Sequence, residues 1–281
     1  MTRTRNDTHA VLRSSRSYYA NRAYYRDLFD QRRRRDPGTD RELDFLEHAF
    51  RTHAQRRIER VLDVACGGGR HLVGLARRGY ECVGQDFTRE RVEMAKARAH
   101  RAQVSVRLKR ADATRLRFVS EFDAVLALNI LFLLPDDDDV QRCLRQIHRA
   151  LRPGGLIVCN IENPFGTRKG WLSTLLRRGH RTETSRVPGL RITNIQRLGD
   201  VDPVLGVAWI EETSTIEASD GRRTFRDRER VRLFTYWDLA NYLRAAGFGG
   251  IQCYPDWERK PPQKPLADEL VFVARKRIIK R

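Results

Sequence analysis

The chain has 281 residues, with 55 Lys and Arg against 36 Asp and Glu, giving a formal net charge of +19. At 40% hydrophobic and 32% charged it has a globular composition, long enough for one large α/β domain or two small ones. The longest apolar runs, Ala124–Leu128 and Ile130–Leu134, fall far short of the ~20 residues that cross a bilayer.

Five Cys (Cys66, Cys82, Cys143, Cys159, Cys253) are odd in number, widely spaced and without a C-x-x-C pair. That argues against a disulfide framework and a structural zinc site, and for a reducing, cytoplasmic setting with no metal. The Arg-rich N-terminus lacks the apolar stretch of an export signal, and Asp7 counts against a transit peptide. The excess charge is spread along the chain: +6 over residues 1–60, +4 over 61–164, +5 over 165–235 and +4 over 236–281. Nucleic acid is therefore an open partner but not the favoured one, and no membrane partner is expected.

Residues 1–38 are polar and Arg-rich, with Tyr18, Tyr19, Tyr24, Tyr25 and Phe29, and end at Asp36-Pro37-Gly38. Asp40–His53 places Leu43, Phe45, Leu46, Ala49 and Phe50 near helical spacing, which predicts an amphipathic helix. Strand-like and helix-like segments then alternate. Val61–Ala65 reads as a strand, Arg70–Arg78 as a helix closed by Gly79, and Glu81–Gln85 as a strand. Thr88–His100 reads as a helix capped by Thr88, with strands at Val104–Leu108 and Phe122–Leu128 after it. A helix over Asp137–Leu151 stops at Pro153-Gly154-Gly155, and Leu156–Ile161 is a fifth strand. Runs apolar on both faces, alternating with helices, imply a parallel sheet covered on each side.

Residues 165–233 break this rhythm with short strand-like pieces, such as Gly206–Glu211 and Ser214–Glu217, and a turn at Ser219-Asp220-Gly221. Thr235-Tyr236-Trp237-Asp238 then opens a capped helix to Ala246, and Ile251–Tyr254 and Leu270–Ala274 supply two last strands. The organisation expected is a helical lid over 1–55, a core over 56–164, a β-rich substrate cover over 165–233 and the rest of the core over 234–281.

The chemistry concentrates after the strands. Val61-Leu62-Asp63-Val64-Ala65-Cys66-Gly67-Gly68-Gly69-Arg70 is a strand feeding a Gly-rich turn that opens a helix, which brings backbone N–H groups close to a ligand. A dinucleotide fingerprint would need a small residue at 72, where this chain has Leu72. Asp63 would also repel a pyrophosphate but attract an ammonium. Asp86 ends the second strand, suited to a ribose diol, and Asp112 follows the third, able to accept from an adenine amino group. Three carboxylates at successive strand ends suit a nucleoside with a cationic tail and no phosphate.

In these residues the sequence resembles the class I S-adenosylmethionine-dependent methyltransferases, small-molecule type. The motif D-x-(G/A)-x-G-x-G is present as Asp63, Ala65, Gly67 and Gly69, in an Ala-Cys-Gly form like that of the glycine N-methyltransferase branch. Phe122-Asp123-Ala124-Val125-Leu126, Leu151-Arg152-Pro153-Gly154-Gly155 and Leu243-Arg244-Ala245-Ala246-Gly247-Phe248 match its later blocks, so the likeness spans about 61–275. It implies a Rossmann-like α/β fold: a seven-stranded, mostly parallel sheet with helices on both faces, an N-terminal helical lid and a β-rich insertion after strand five.

The resemblance also implies S-adenosylmethionine as cofactor, bound by Asp63, Ala65, Cys66, Gly67, Gly69, Asp86, Phe87, Asp112, Ala113, Leu128 and Asn129. Phe87 would flank the adenine, Ala113 would donate its backbone N–H to it, and Leu128-Asn129 would line the methyl-donor site. Methyl transfer needs positioning more than acid–base help, so no catalytic residue is assigned; Tyr19, Tyr25, Asn129 and Tyr236 are weak candidates, with His71 and Asn163 behind them. After strand four the chain reads Leu128-Asn129-Ile130-Leu131-Phe132, not the (D/N)-P-P-(Y/F) that holds a base amine. The reading is N- or O-methylation of a small molecule. An RNA or protein acceptor, and a non-catalytic relative, stay as alternatives.

Overall fold

The computed structural model describes residues 37–134, 136–167, 170–187, 189–219, 221–259 and 267–278. Tyr19 and Tyr25, and most of the expected lid, lie outside the described residues. Seven strands form the central sheet: β1 (Arg60–Asp63), β2 (Glu81–Asp86), β3 (Arg107–Arg110), β4 (Phe122–Ala127), β5 (Leu151–Glu162), β10 (Phe248–Pro255) and β11 (Glu269–Lys276). Their order is β3-β2-β1-β4-β5-β11-β10. The first five are mutually parallel, and β11 runs antiparallel to both of its neighbours. The strand order reverses between β1 and β4, which opens a crevice at their carboxyl ends.

β4 is buried along its whole length, as a strand covered on both faces must be. On one face lie α1 (Pro37–His53), α2 (Arg70–Arg77) and α3 (Arg89–Arg101). Leu43, Phe45, Leu46, Leu72 and Leu75 pack there against Val61, Leu126, Val158 and Val273. The other face carries α4 (Asp137–Ala150) and α6 (Tyr236–Ala245), whose Leu144, Ile147, Leu239 and Leu243 meet Leu62, Val125, Ile157 and Phe272. Each such fully buried side chain stabilises the fold by about 1.5–3 kcal/mol. The Thr235/Asp238 capping box that the sequence suggests starts α6.

Several boundaries differ from expectation. Strand three pairs as Arg107–Arg110 with Val83–Asp86 rather than as Val104–Leu108; it is an edge strand, where charged residues suit the open side. β5 begins at Leu151, because Pro153-Gly154-Gly155 is absorbed as a bulge: Phe122 pairs with Leu151 but Ala124 with Leu156, and Gly154 takes φ +78. Thr88 holds the N-cap position of α3, yet its hydroxyl donates to Asp86 Oδ1 at 3.1 Å instead of capping the helix.

The insertion is more regular than its sequence suggests. After α5 (Trp171–Arg178) come β6 (His180–Val187), β7 (Leu190–Asp202), β8 (Val207–Ala218) and β9 (Gly221–Arg232), an antiparallel sheet in sequence order. Ala208, Ile210 and Val231 join the core formed by Phe132, Leu172, Leu175 and Phe234. Arg232 binds Asp137 at the start of α4, which ties the insertion sheet to the core.

Candidate functional site: the crevice at the carboxyl ends of the strands

β1 delivers Asp63 and then turns through Gly67 (φ +53) and Gly69 (φ +76) into α2. The left-handed backbone at these two positions excludes ordinary side chains; a Cβ on Gly69 would sit 2.9 Å from Ala95 Cβ. The Cys66 N–H donates to the Gln85 carbonyl at 2.8 Å, which locks the turn to the end of β2. Asp86 fixes the same turn from its side chain, with Oδ2 accepting from Gly67 N at 2.9 Å and Oδ1 from Thr88 N at 2.9 Å.

Asp63 is 2% exposed. Burial, helped by the neighbouring Asp86, pushes its carboxyl up to about 7. A buried carboxylate disfavoured in this way is stabilised by a cation placed against it, so the donor set fits an ammonium-bearing ligand. Asp112 follows β3 and accepts from the Thr114 N–H and hydroxyl, each at 2.8 Å, which fixes its carboxylate beside the buried Ala113. Phe87, half-buried, follows Asp86, and its carbonyl accepts from Arg110 Nε at 3.1 Å. Ala65, Cys66, Gly67 and Gly69 thus form one turn, with Asp63, Asp86 and Asp112 at three adjacent strand ends. Burial, with Asp63 and Asp86 nearby, raises Cys66 well above the usual thiol range, so it stays a neutral wall.

The β4 end supplies Leu128, buried, and Asn129, exposed and held at φ +55. Asn160 on β5 imposes that conformation: its Oδ1 accepts from Asn129 N at 2.7 Å and its Nδ2 donates to Asn129 Oδ1 at 2.9 Å. Asn160 also donates to Glu269 on β11, which accepts from Trp257 Nε1 at 2.5 Å. Trp257 in turn stacks on His71 with ring centroids 6.2 Å apart. His71 and Arg70 both bond Glu42 of α1. A continuous set of contacts therefore joins the glycine turn to the loop after β4. Burial raises the Glu42 carboxyl, but His71 and Arg70 outweigh it and hold the group at about 2. Glu162 and Glu269 pair across β5 and β11; burial raises both carboxyls, helped by the Glu269 charge at Glu162 and by the Glu42 charge at Glu269.

Sequence reasoning missed Asn160, Glu162, Glu269 and Trp257. The rule that found Asp63, Asp86 and Asp112, polar residues at strand ends, applies equally to Asn160 and Glu162 at the end of β5. Trp257 and Glu269 come from distant segments and carry no local signal. Of the weak candidates, Tyr236 stacks on Phe272 at 5.5 Å, a packing environment. Asn163 closes a turn, donating to Ala267 O at 2.8 Å and accepting from Phe165 N at 3.0 Å.

Residues 61–155 match the family model described as a methyltransferase domain. This stretch is similar to methyltransferase domains. Its curated relatives include a demethylmenaquinone methyltransferase of Mycolicibacterium paratuberculosis, 41% identical over 108 residues (38% of this chain, 43% of the relative). A ubiquinone biosynthesis O-methyltransferase of Alkalilimnicola ehrlichii is 35% identical over 107 residues (37% and 42%). This chain spans less than half the length of these relatives. Solved structures extend the likeness to the whole fold. An S-adenosylmethionine-dependent methyltransferase from Clostridium acetobutylicum has a TM-score of 0.73 at 16% identity, covering 93% of this chain and 99% of its own. A sugar N-methyltransferase from Streptoalloteichus sp. has a TM-score of 0.70 at 22% identity, covering 90% and 92%. The fold is that of class I methyltransferases, as the sequence implied, with the insertion sheet after β5.

Proposed function

We propose that the protein transfers a methyl group from S-adenosylmethionine to a nitrogen or oxygen of a small-molecule acceptor. The observation that carries this reading is the arrangement of Asp63, Asp86 and Asp112 at three adjacent strand ends around the left-handed glycine turn. Asp63 would hold the cofactor's ammonium, Asp86 its ribose diol, and Asp112 with the Ala113 N–H its adenine, flanked by Phe87. The cofactor supplies a methyl group on a sulfonium, whose neutral leaving group needs no protonation. The chain's part is to orient and desolvate the nucleophile in line with that methyl. Leu128 and Asn129 would line the donor position, with Asn129 held by Asn160, which Glu269 bonds in turn.

Four boundaries complete the reading: residues 1–55 as a lid, 56–164 and 234–281 as the core, and 165–233 as the acceptor cover. The sugar and quinone methyltransferases among the relatives support a small acceptor. Among the described residues no helix is long and apolar enough to cross a membrane. The five cysteines are free thiols, which supports a cytoplasmic location. Incubation with methyl-labelled cofactor and a small-metabolite extract tests the reading. Label in a small-molecule product, identified by mass spectrometry, supports it. Label entering only RNA or protein contradicts it.

A further inference from the structure

The +19 charge finds no role in the crevice, but the insertion sheet sorts it by face. Strand alternation and pairing define an outer face, opposite the one that carries Ala208, Ile210 and Val231 into the core. One row across that outer face reads Arg186, Arg191, Glu217, Arg222. The next is Thr184, Thr193, Thr215, Thr224, with hydroxyl pairs at 3.5 Å and 3.4 Å. Beyond it come Thr182, Ile195, Thr213, Arg226, then His180, Arg197, Glu211, Arg228. Arg230 opposite Trp209 ends the face.

Over β6–β9 the outer face thus carries seven exposed or half-exposed Arg against Glu211, Glu217 and, past the β7 irregularity, Asp200, which pairs with Arg228 at 3.0 Å. The inner face carries Arg181 and Arg223 against Glu183, Glu212, Asp227 and Glu229. The two faces of the same strands thus carry excess charge of opposite sign.

We propose that this outer face binds the phosphate backbone of nucleic acid, without reading sequence. Rows on a strand repeat every ~6.8 Å and neighbouring strands lie ~4.8 Å apart, so the four main rows span ~20 Å by ~14 Å. Arginine forks and threonine hydroxyls are standard phosphate partners. A protein partner would need an apolar anchor at the centre of its interface. Here only Ile195 and Trp209 are offered, and Arg228 already covers the Trp209 ring at 4.6 Å. Arg186, Arg197 and Arg226 make no ion pair among the described residues, so their charge is available to the phosphates. The binding is independent of which acceptor is methylated in the crevice.

Fluorescence anisotropy of a labelled 20-base-pair RNA duplex with the full chain tests this. Five or six phosphate contacts predict a log–log salt slope of about −4.5 to −5.5, at roughly −0.9 per contact. R186S/R197S/R226S should weaken binding at least tenfold at 100 mM salt and flatten the slope by about 2–3. R57S/R77S/R145S removes the same charge elsewhere on the exposed surface and should stay within threefold. If circular dichroism shows the first variant unfolded, R191Q/R222Q makes the same comparison, with a loss of about fivefold or more expected. Equal losses in the outer-face and control variants overturn the proposal, as does absence of binding at 50 mM salt. Competition by polyglutamate or phosphatidylserine vesicles as effective as by the duplex overturns it as well.

Discussion

Asp63 gives the proposed cofactor site a pH signature. Its carboxyl sits at about 7 in the free protein, raised by burial and by Asp86, against 3.8 in an exposed Asp. At pH 6 it is therefore about nine-tenths protonated, and a ligand ammonium must displace that proton to gain the charge pair. Binding of S-adenosylhomocysteine, whose ammonium and nucleoside match the cofactor's, should tighten about 20-fold between pH 5.5 and 7.5 and level off above. Calorimetry in two buffers of different ionisation enthalpy should show nearly one proton released at pH 5.5 and little at pH 8. Asp63→Asn should be weaker at pH 8 by about 1.5–3 kcal/mol, the scale of a lost charge-assisted hydrogen bond, and flat with pH. The same raised carboxyl bears on the stability of the free protein. Its contribution is fully present below 3.8 and is lost as pH rises through about 7; that gap corresponds to about 4 kcal/mol. A flat binding profile in the native protein, or a profile that survives in Asp63→Asn, refutes the reasoning.

Other expectations can be read on the same preparations. Asp86→Ala removes a carboxylate that also orders the glycine turn through Gly67 N and Thr88 N, and should weaken cofactor binding by about 1.5–3 kcal/mol; unchanged affinity by calorimetry would sink the assignment. Gly69→Ala forces a side chain into left-handed backbone and against Ala95, and should cost about 2 kcal/mol or more in urea unfolding. Asp123, 1% exposed, accepts from the backbone N–H groups of Glu59 and Arg60 and pairs with Arg56 and Arg152. Burial pushes its carboxyl up, but these partners outweigh it and hold it below the usual range. Asp123→Asn should lose about 2–3 kcal/mol at pH 7, a gap present above the ordinary Asp value and closing as pH falls through the lowered one. Glu269→Gln leaves one of its two donors, Trp257 Nε1 or Asn160 Nδ2, without an acceptor. A loss of about 1–3 kcal/mol with a shift in tryptophan emission is expected, and no change in either would contradict the contact.

The central sheet was legible because its strands are buried on both faces and read as continuous apolar runs between helices. Val61–Ala65 and Phe122–Leu128 are of this kind, and Asp63 and Asp86 are the acids at the ends of the buried strands β1 and β2, whereas Asp112 follows the charged edge strand β3. β5 was read short because Pro153-Gly154-Gly155 has the chemistry of a turn, whereas the pairing with β4 carries it as a bulge. The insertion was read as fragments because β6, His180–Val187, holds Val187 as its one aliphatic residue and its outer face is His, Thr and Arg; the hydrogen-bonded neighbours, not local pattern, make it a strand. Strand alternation on β8 turns Trp209 to the outer face under Arg228, away from the crevice side of the cover. The Asn129–Asn160–Glu269–Trp257 contacts join four segments spread over more than a hundred residues, which no periodicity in one stretch can reveal.

Cofactor occupancy of the crevice is the claim on which the rest stands, and equilibrium dialysis with radiolabelled S-adenosylmethionine measures it most directly. The account predicts one molecule bound per chain at micromolar concentration and pH 7.5, displaced by S-adenosylhomocysteine, and lost together in Asp63→Asn and Asp86→Ala. No retention by the native chain, or retention unaltered in both variants, would contradict it.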